Sequence, residues 1–334
     1  MKKVNFNIKR EGLKIEDLLT LVSFFHGVSG MSKGAAKVGY ETLYATDNWD
    51  KSEMAFKLNG HLNTGYFDNC DFNLLDSTRI LEKINKHHKG KHNIGIGDID
   101  CVVSGSPCQG QSGVNPHRSS FDVRNKLMVK QIRLAGMQGL RAKTAWFEQV
   151  PGFFDEPMKA LRMEVLAALE SQTDYTYSIR VLNALDYGSY QSRDRVTIIM
   201  VRKDVGVPSF PDPIPIDLSV VSVKAVLPHI TAFRYKKDGI PKLAGRNVIN
   251  TMTASGDNLM VFDGKRWRKI NVEERQILSH LKGYNLSMFS EKDRIRLMGN
   301  MVQIPFAEAI TGHIKSEILL PYYNKIEPVL NEAA

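Results

Sequence analysis

A cysteine follows an apolar run of the chain at a point where the backbone must turn. Residues 99–103 are typical of a buried strand in a parallel sheet, and the Ser-Gly-Ser-Pro of residues 104–107 cannot continue that strand. Cys108 therefore comes just after the carboxyl end of a strand, the edge at which open α/β sheets bind their ligands. A thiol at this position can serve as a nucleophile, although a lone cysteine beside a turn is more often a buried packing residue.

Two further stretches carry charged groups that could take part in chemistry. Glu148 lies within an apolar run, residues 144–150, where a carboxylate is costly to bury unless it has a partner or a task. A structural salt bridge is the plain alternative for this residue. Gln191, Arg193 and Arg195 alternate along an extended segment, so their side chains point to one side. Two aligned guanidinium groups suit a phosphate, a carboxylate or an electron-poor ring.

The elements that must position these groups follow a regular order. The chain alternates apolar strands with helical patterns, which indicates a doubly wound α/β fold. Residues 18–25 predict a first buried strand, and residues 26–34 form a turn with three glycines before a helix. Glycine lets a backbone approach a ligand closely, and a helix N-terminus can receive polar groups. The turn therefore has the composition and the place of a nucleotide-binding loop.

The second predicted strand, residues 41–46, ends in residues that suit a nucleoside. Asp47 lies 17 positions after Gly30 (47 − 30), close to the spacing of about 20 at which a ribose-binding carboxylate is expected. Trp49 could flank an adenine ring. A helix cap and a core tryptophan are the plain alternatives for Asp47 and Trp49.

Taken in order, these stretches resemble the motifs of the DNA cytosine-C5 methyltransferases. Residues 105–112, Gly-Ser-Pro-Cys-Gln-Gly-Gln-Ser, are similar to that family's G-F-P-C-Q-x-F-S loop. Residues 147–150, Phe-Glu-Gln-Val, resemble its F-E-N-V, and residues 191–195 resemble its Q-x-R-x-R element. The turn at residues 25–30, Phe-His-Gly-Val-Ser-Gly, is similar to the cofactor loop F-x-G-x-G-G, with a serine in place of one glycine.

Further stretches extend this likeness over about residues 20–320, in the family's motif order. Residues 122–127 are similar to its D-x-R-x-x-L element, and the Gly-Asn-Met-Val of residues 299–302 is similar to its last motif. Residues 250–255 and 268–275 resemble the end of its recognition domain. The resemblance implies a Rossmann-like class I methyltransferase fold of the α/β class, with a mostly parallel, doubly wound sheet and a small target-recognition domain.

A proline-rich stretch marks the expected domain boundary. Four prolines fall within residues 204–217, a composition typical of a linker. We expect a catalytic and cofactor-binding domain over residues 1–203 plus 286–334, and a recognition domain over residues 204–285. A helix over residues 156–171 is predicted from its apolar spacing. A C-terminal helix over residues 306–319 is expected to return to the first domain.

The resemblance also implies a set of site residues. The catalytic residues would be Cys108, Glu148, Gln191, Arg193 and Arg195. The cofactor would be S-adenosylmethionine, bound by Phe25, Gly27, Gly30, Asp47, Trp49, Asp71, Pro107, Leu127, Asn300 and Val302. Two of these positions stay open. Trp49-Asp50-Lys51 would align Asn48 rather than Asp47 with the family's ribose acid, and Asp98 rather than Asp71 could reach the adenine.

The chemistry of the family explains why these residue types are needed. Carbon 5 of cytosine is a poor nucleophile, so the ring must first become electron-rich. The resemblance implies that the Cys108 thiolate attacks carbon 6 and that Glu148 bonds to ring nitrogen 3. Arg193 would contact the base carbonyl. Because a paired base cannot be reached inside a duplex, the target cytosine must flip out into the site.

Composition sets the expected surroundings of the protein. The chain has 334 residues, 43% of them hydrophobic, and residues 1–12 show no signal-peptide core. Three cysteines, an odd number without metal-like spacing, argue against both a disulfide framework and a zinc site. A net charge of +9 favours a polyanionic partner. We expect a metal-free, cytoplasmic monomer from a prokaryote or a phage, with no membrane contact and with double-stranded DNA as its partner.

The DNA contacts are expected on the catalytic loop and beyond the linker, where basic residues interleave with aromatic ones. The same composition fits any exposed loop. The predicted contacts are Gln109, Gln111, Ser112, Arg234, Lys236, Lys237 and Arg246. Only 45 residues separate Arg202 from Val248 (248 − 202 − 1), which favours a short or degenerate target unless residues 248–285 also read bases. The alternatives are an RNA cytosine-C5 methyltransferase of the tRNA-modifying kind and an inactive DNA-binding relative.

Overall fold

The computed structural model describes residues 19–60, 65–89, 93–108, 110–111, 117–236, 239–256 and 259–331. The strands of its first part are β1 (Leu19–Phe24), β2 (Tyr40–Asp47), β3 (Tyr66–Asn69), β4 (Cys101–Ser104), β5 (Thr144–Gln149), β6 (Tyr175–Asn183), β7 (Gln191–Ser192) and β8 (Asp194–Arg202). Seven of these described strands form one sheet in the order β3-β2-β1-β4-β5-β8-β6. Strands β1 to β5 run parallel, and β8 runs antiparallel to both of its neighbours.

Helices cover both faces of this sheet. The described α-helices are α1 (Gly30–Lys37), α2 (Asp50–Leu58), α3 (Ser77–His87), α4 (Lys126–Ala135), α5 (Lys159–Glu170), α6 (Leu218–Val221), α7 (Val223–Val226), α8 (Val272–Leu278), α9 (Glu291–Asn300), α10 (Ile304–His313) and α11 (Leu320–Asn331). Apolar residues of α3, α4 and α5 bury one face, and those of α1 and α10 bury the other. The predicted α/β, mostly parallel and doubly wound class is therefore confirmed. No helix in the described ranges is long and apolar enough to span a membrane.

The predicted elements differ from the observed ones mainly at their ends. The helix predicted over residues 156–171 begins at Lys159, after a 3-10 turn that contains Pro157. The C-terminal helix begins two residues earlier than predicted, because Pro305 occupies its first turn, where a backbone N–H is not needed. Strand β6 was not predicted. It is the outermost strand of the sheet and is mostly half-exposed, so no continuous apolar run indicates it.

A second, smaller sheet follows the proline-rich stretch. Its strands are β9 (Ala232–Tyr235), β10 (Lys242–Leu243), β12 (Leu259–Phe262) and β13 (Trp267–Lys269), while β11 (Ile249–Asn250) pairs with β7 instead. The described order is β10-β9-β12-β13, with antiparallel neighbours. Phe233, Leu259, Val261 and Leu278 belong to a separate apolar cluster under this sheet. Residues 223–278 thus have a core of their own.

The C-terminal helix α10 lies against α1 at the first sheet. A Cβ built on Gly34 would stand 2.5 Å from the Cβ of Ala307, so only glycine allows this close approach. The Lys37 ammonium pairs with the Glu308 carboxylate at 2.7 Å, and the Tyr40 hydroxyl donates to the Thr311 carbonyl at 3.3 Å. After the second sheet the chain therefore returns to the first sheet, where α10 packs along α1, the helix that follows the glycine-rich turn.

A buried carboxylate joins several elements at the end of the large sheet where its parallel strands begin. Asp100, which precedes β4, is fully buried and accepts hydrogen bonds from the Thr20 backbone N–H at 2.7 Å and from the Tyr323 hydroxyl of α11. The Lys143 ammonium lies 3.0 Å from Asp100 Oδ1, the oxygen atom that also accepts from Tyr323, while Thr20 bonds Oδ2. Burial alone would raise the pKa of Asp100, but Lys143, Tyr323 and Thr20 together hold it below its usual range.

Removing the positive partner of Asp100 should strongly destabilise the fold. Lys143→Met leaves a buried carboxylate without its counter-ion, and we expect the free energy of unfolding to fall by about 3–5 kcal/mol. Lys37→Met is the matched control, because its ion pair with Glu308 is exposed and should contribute at most about 1 kcal/mol. Urea unfolding of the two variants measures the difference. Equal, small losses would contradict a stabilising role for the Asp100 pair.

Candidate active site

Four of the five predicted catalytic residues converge at one edge of the large sheet. Cys108 follows β4, and Glu148 lies near the end of β5. Because β8 runs antiparallel to β5, its first residues lie where β5 ends, and Glu148 pairs with Thr197 in the register. This topology brings Arg193 and Arg195, at the start of β8, to the same edge as Cys108.

Glu148 is held by an ion pair on one of its oxygen atoms. The Nε of Arg195 lies 2.5 Å from Glu148 Oε1, and the two residues are only 7% and 9% exposed. The structural salt bridge that the sequence left open is therefore present. The second oxygen atom, Oε2, faces the loop that carries the cysteine, since a Cβ built on Gly105 would stand 3.4 Å from it. Glu148 thus keeps one oxygen atom beside the cysteine loop.

The electrostatics of the site act on the Cys108 thiol in opposite directions. Burial raises the pKa of Cys108, and the negative charge of Glu148 raises it further. Arg195 and Arg193 lower it, without cancelling the first two effects. The raised pKa favours the protonated thiol, so a proton must leave before the sulfur can act as a nucleophile.

Arg193 and Gln191 connect the start of β8 to later parts of the chain. The guanidinium of Arg193 donates to the carbonyls of Met252 at 3.2 Å and Gly299 at 3.1 Å. Its buried Nε has no hydrogen-bond partner among the described residues, and burial lowers the pKa of Arg193. The Gln191 amide donates to the Leu278 carbonyl at 3.2 Å and accepts from the Met252 N–H at 3.1 Å. Both polar groups of the Gln191 side chain are thus bonded to backbone.

The glycine-rich turn follows β1 at the same edge of the sheet. Phe25 and Gly27 have φ of +51° and +56°, and a Cβ built on Gly27 would meet no atom within 4 Å. The Gly27 N–H donates to Asp47 Oδ2 at 2.9 Å, and the Trp49 N–H donates to Asp47 Oδ1 at 3.0 Å. Burial raises the pKa of Asp47, although these N–H groups oppose the shift. Both oxygen atoms of Asp47 therefore order the turn, while its neighbour Asn48 is exposed.

The two acids proposed for the adenine lie at opposite edges of the sheet. Asp71 is exposed and follows β3, at the edge where the parallel strands end. Asp98 precedes β4 and accepts from the Gly95 N–H at 2.7 Å. Its carbonyl accepts from Lys143, which precedes β5. The structure therefore favours Asp71 over Asp98, because only Asp71 shares an edge with the glycine-rich turn.

The remaining predicted cofactor residues lie after β4, on α4, at the start of α1 and at or just after the end of α9. Pro107 and Leu127 are half-buried, and Leu127 packs against the main core. A Cβ built on Gly30 would stand 2.1 Å from the Val302 carbonyl, so Gly30 allows α1 to contact the segment after α9. Val302 itself is buried, whereas Asn300 is exposed at the end of α9.

Gln111, one of the predicted DNA contacts, lies inside the protein rather than on its surface. Gln111 is fully buried, and its amide donates to Asn125 Oδ1 at 3.3 Å and contacts Met128 Sδ at 3.2 Å. The Gln111 N–H donates to the Cys108 carbonyl at 2.9 Å, and the side chain of Gln111 points inward from this turn. The predicted contacts Gln109, Ser112 and Lys237 lie outside the described residues.

The predicted contacts on the second sheet remain at or near the surface. Lys236 and Arg246 are exposed, and the Arg234 guanidinium lies 4.5 Å from the centre of the Trp267 ring. A similar contact that the sequence did not indicate places the Arg296 guanidinium of α9 4.3 Å from the centre of the Trp49 ring. Across the described ranges, no cluster of three or more His, Cys, Asp or Glu is arranged to hold a metal ion.

The chain is similar in sequence to known proteins. Residues 19–239, which are 221 (239 − 19 + 1) of the 334, match the family model described as C-5 cytosine-specific DNA methylase. The chain is 30% identical over 193 residues to the type II methyltransferase M.XorII of Xanthomonas oryzae pv. oryzae, covering 58% of this chain and 42% of that relative. It is 27% identical over 212 residues to the type II methyltransferase M.HhaI of Haemophilus parahaemolyticus, covering 63% and 57%.

A solved structure shows the same fold over nearly the whole chain. It is a prophage-encoded protein of Escherichia coli described as a DNA modification methyltransferase, with 19% identity and a TM-score of 0.62. The alignment covers 89% of this chain and 98% of that one. The sequence matches, by contrast, cover less than two thirds of the length of M.XorII and M.HhaI. Since the family model matches more than half of the sequence, the chain belongs to the C-5 cytosine-specific DNA methylase family.

Proposed function

We propose that the protein transfers a methyl group from S-adenosylmethionine to carbon 5 of a cytosine that has flipped out of duplex DNA. The observation that carries this proposal is the convergence of one thiol, one carboxylate and two guanidinium groups at the sheet edge that also bears the glycine-rich turn. Family membership supports the same reaction type. Each group has a distinct task in it.

The thiol of Cys108 makes the base reactive. Its thiolate forms a bond to carbon 6, and the electron pair of the 5,6 double bond moves into the ring, which makes carbon 5 nucleophilic. Glu148 donates a proton to ring nitrogen 3 and so disperses the negative charge. After methylation, carbon 5 loses its proton to water, the 5,6 double bond re-forms and the thiolate leaves. The proton on nitrogen 3 then returns to Glu148.

The charges of the site couple the protonation of the Cys108 thiol to that of the Glu148 carboxylate. While Glu148 is ionised, its charge raises the pKa of Cys108. A proton that moves from the thiol to Glu148 removes this repulsion and leaves the sulfur facing Arg193 and Arg195. The same move prepares Glu148 to donate to nitrogen 3. We therefore infer that the thiolate and the protonated carboxyl form together, when the base is in place.

Arg193 and Gln191 have different roles in this proposal. Arg193 is buried with an unpaired Nε among the described residues, so it retains a donor for the base carbonyl. Gln191 does not retain one, because its amide is bonded to the backbone of Leu278 and Met252. We assign Gln191 as a positioning residue that holds the start of β8. Arg195 orients Glu148 through their ion pair.

The residues at the end of β1 fit an adenosine-containing cofactor. The open space at Gly27 lets a ligand approach the backbone. Phe25, Trp49 and Asp71 follow β1, β2 and β3, at the same end of the sheet as Gly27. We assign Asp47 to ordering the turn and the exposed Asn48 to the ribose. When bound, S-adenosylmethionine supplies the methyl group that carbon 5 receives. Pro107, Leu127, Asn300 and Val302 complete the proposed site.

The proposal is tested by mapping 5-methylcytosine. Bisulfite sequencing of DNA from cells that express the protein should show methylated cytosines, which are absent from cells that express Cys108→Ala. Methyl incorporation into duplex DNA and into total tRNA should be compared with the purified protein. Labelling of tRNA alone would favour an RNA methyltransferase, and labelling of neither would favour an inactive DNA-binding relative.

The target sequence should be short or degenerate, about two to four base pairs. Each bidentate contact to a base edge discriminates by about 1–3 kcal/mol, and residues 203–247 offer few side chains for it. Lys236, Arg246 and Arg234 are assigned to phosphate contacts, so binding should weaken steeply as salt rises. Methylation of a random-sequence duplex library measures the target. Strict confinement to one six-base-pair site would contradict the prediction and would indicate base reading by residues 248–285.

A further inference from the structure

The glycine-rich turn contains a non-glycine residue in a left-handed conformation. Ser29 precedes α1 with φ of +73° and ψ of +19°, in the left-handed region, which residues other than glycine adopt only at a cost in free energy. A backbone held in this way persists only when its surroundings stabilise it. We therefore infer that the contacts of the Ser29 hydroxyl stabilise this backbone conformation.

Two buried side chains hold this hydroxyl, and we call them with Ser29 the Ser29 network. The His26 Nε2 lies 2.7 Å from Ser29 Oγ, and the Tyr284 hydroxyl lies 3.0 Å from the same atom. The other ring nitrogen of His26 lies 3.0 Å from Ser23 Oγ, at the end of β1. Burial lowers the pKa of His26 to about 3, so the ring is neutral and one of its nitrogens accepts.

The network joins the turn to a segment far along the chain. Tyr284 lies between α8 and α9, and its ring also receives the Lys33 ammonium of α1 at 4.8 Å from the ring centre. The next residue, Asn285, is bonded to Asn59 at the end of α2, through its N–H at 2.8 Å and its carbonyl at 3.1 Å. The segment around Tyr284 is thus anchored independently of the turn, so it can hold Ser29 in place.

We propose that Tyr284 and His26 are positioning residues that keep the glycine-rich turn in its ligand-binding conformation through the Ser29 hydroxyl. The inference rests on the proposed function only in naming S-adenosylmethionine as the ligand. The apparent dissociation constant of a ligand rises in proportion as the binding-competent conformation becomes less populated. Loss of the Tyr284 hydroxyl should therefore weaken cofactor binding, although this hydroxyl belongs to none of the predicted site residues.

The experiment combines Tyr284→Phe with Ser29→Gly in a double-mutant cycle. Titration calorimetry gives the dissociation constant of S-adenosylmethionine, and amide hydrogen exchange of residues 26–32 is measured in the cofactor-free protein. Tyr284→Phe should weaken binding and speed exchange by similar factors, roughly three- to tenfold, the value of one buried hydrogen bond. In the Ser29→Gly background the same change should have less than about a twofold effect, because the hydroxyl is gone and glycine accepts the conformation.

Tyr40→Phe is the matched control, since it also removes one buried hydroxyl, which is bonded to the Thr311 carbonyl of α10 and not to the glycine-rich turn. It should lower the melting temperature without changing cofactor affinity or exchange of the turn. Equal effects of Tyr284→Phe in the two backgrounds, or no effect in either, would overturn the proposal. If the wild-type protein binds no S-adenosylmethionine, the proposed function fails, while the exchange measurement still tests the network.

Discussion

Replacing Cys108 by alanine is expected to lower methyl transfer by at least about a thousandfold, because the proposed bond to carbon 6 forms at its sulfur atom. Cys70→Ala and Cys101→Ser are the matched controls and should keep their activity. Cys101 is fully buried within β4, where burial raises the pKa of its thiol to about 12, and Cys70 precedes the 3-10 turn after β3. Incorporation of labelled methyl groups into duplex DNA measures all three.

A trapping experiment assigns the nucleophile directly. Duplex DNA that contains 5-fluorocytosine should form an adduct that survives denaturation, because fluorine at carbon 5 blocks the final proton loss and hence the release of the thiolate. Digestion and mass spectrometry should place the adduct on the peptide that contains Cys108. An adduct of equal yield in Cys108→Ala would rule out this residue as the nucleophile.

Glu148→Gln should lower methylation by about 10²–10⁴, the range typical for loss of a general acid. The amide cannot pass a proton to ring nitrogen 3, and Arg195 loses the ionised partner that lies 2.5 Å away. Single-turnover assays at saturating DNA separate this loss from weaker binding. The matched control is Glu156→Gln. Glu156 is exposed, lies in the 3-10 turn before α5 and forms an ion pair with Lys159.

The same substitution should make the Cys108 thiol more reactive. Glu148 raises the pKa of Cys108, so its neutral replacement lowers that pKa, and more thiolate is present at any pH below it. Alkylation of Cys108 by iodoacetamide in the DNA-free protein should therefore be faster at pH 7–8 in Glu148→Gln than in the wild type. Its rate-against-pH profile should shift to lower pH. A slower or unchanged alkylation rate would show that Glu148 does not act on the thiol.

The sequence by itself determined the fold class, and it predicted the chemical groups of the candidate site. Both depend on local patterns: apolar strands of five to eight residues, the turns that end them, and side chains placed directly after those turns. Cys108 and the glycine-rich turn both follow parallel strands. Because parallel strands end at one edge of a sheet, the sequence alone predicts that these two features lie together.

Other placements needed the three-dimensional arrangement. Glu148 and Arg195 become partners because β8 runs antiparallel to β5, and the apolar pattern of a buried strand does not state its direction. Asp71 and Asp98 look alike in sequence but lie at opposite edges of the sheet. Asp47 has the spacing of a ribose acid, yet both its oxygen atoms are bonded to N–H groups of the turn.

Side-chain orientation and contacts between distant residues were decided only by the tertiary structure. Gln111 looks like a surface residue of a polar loop, but it lies buried against α4, because the turn after Cys108 directs it inward. Ser29 and Tyr284 are 255 positions apart, and neither lies in a pattern that indicates the other. Local periodicity reports which face of an element is buried. It carries no information on which distant segment covers that face, and this depends on packing of the whole chain.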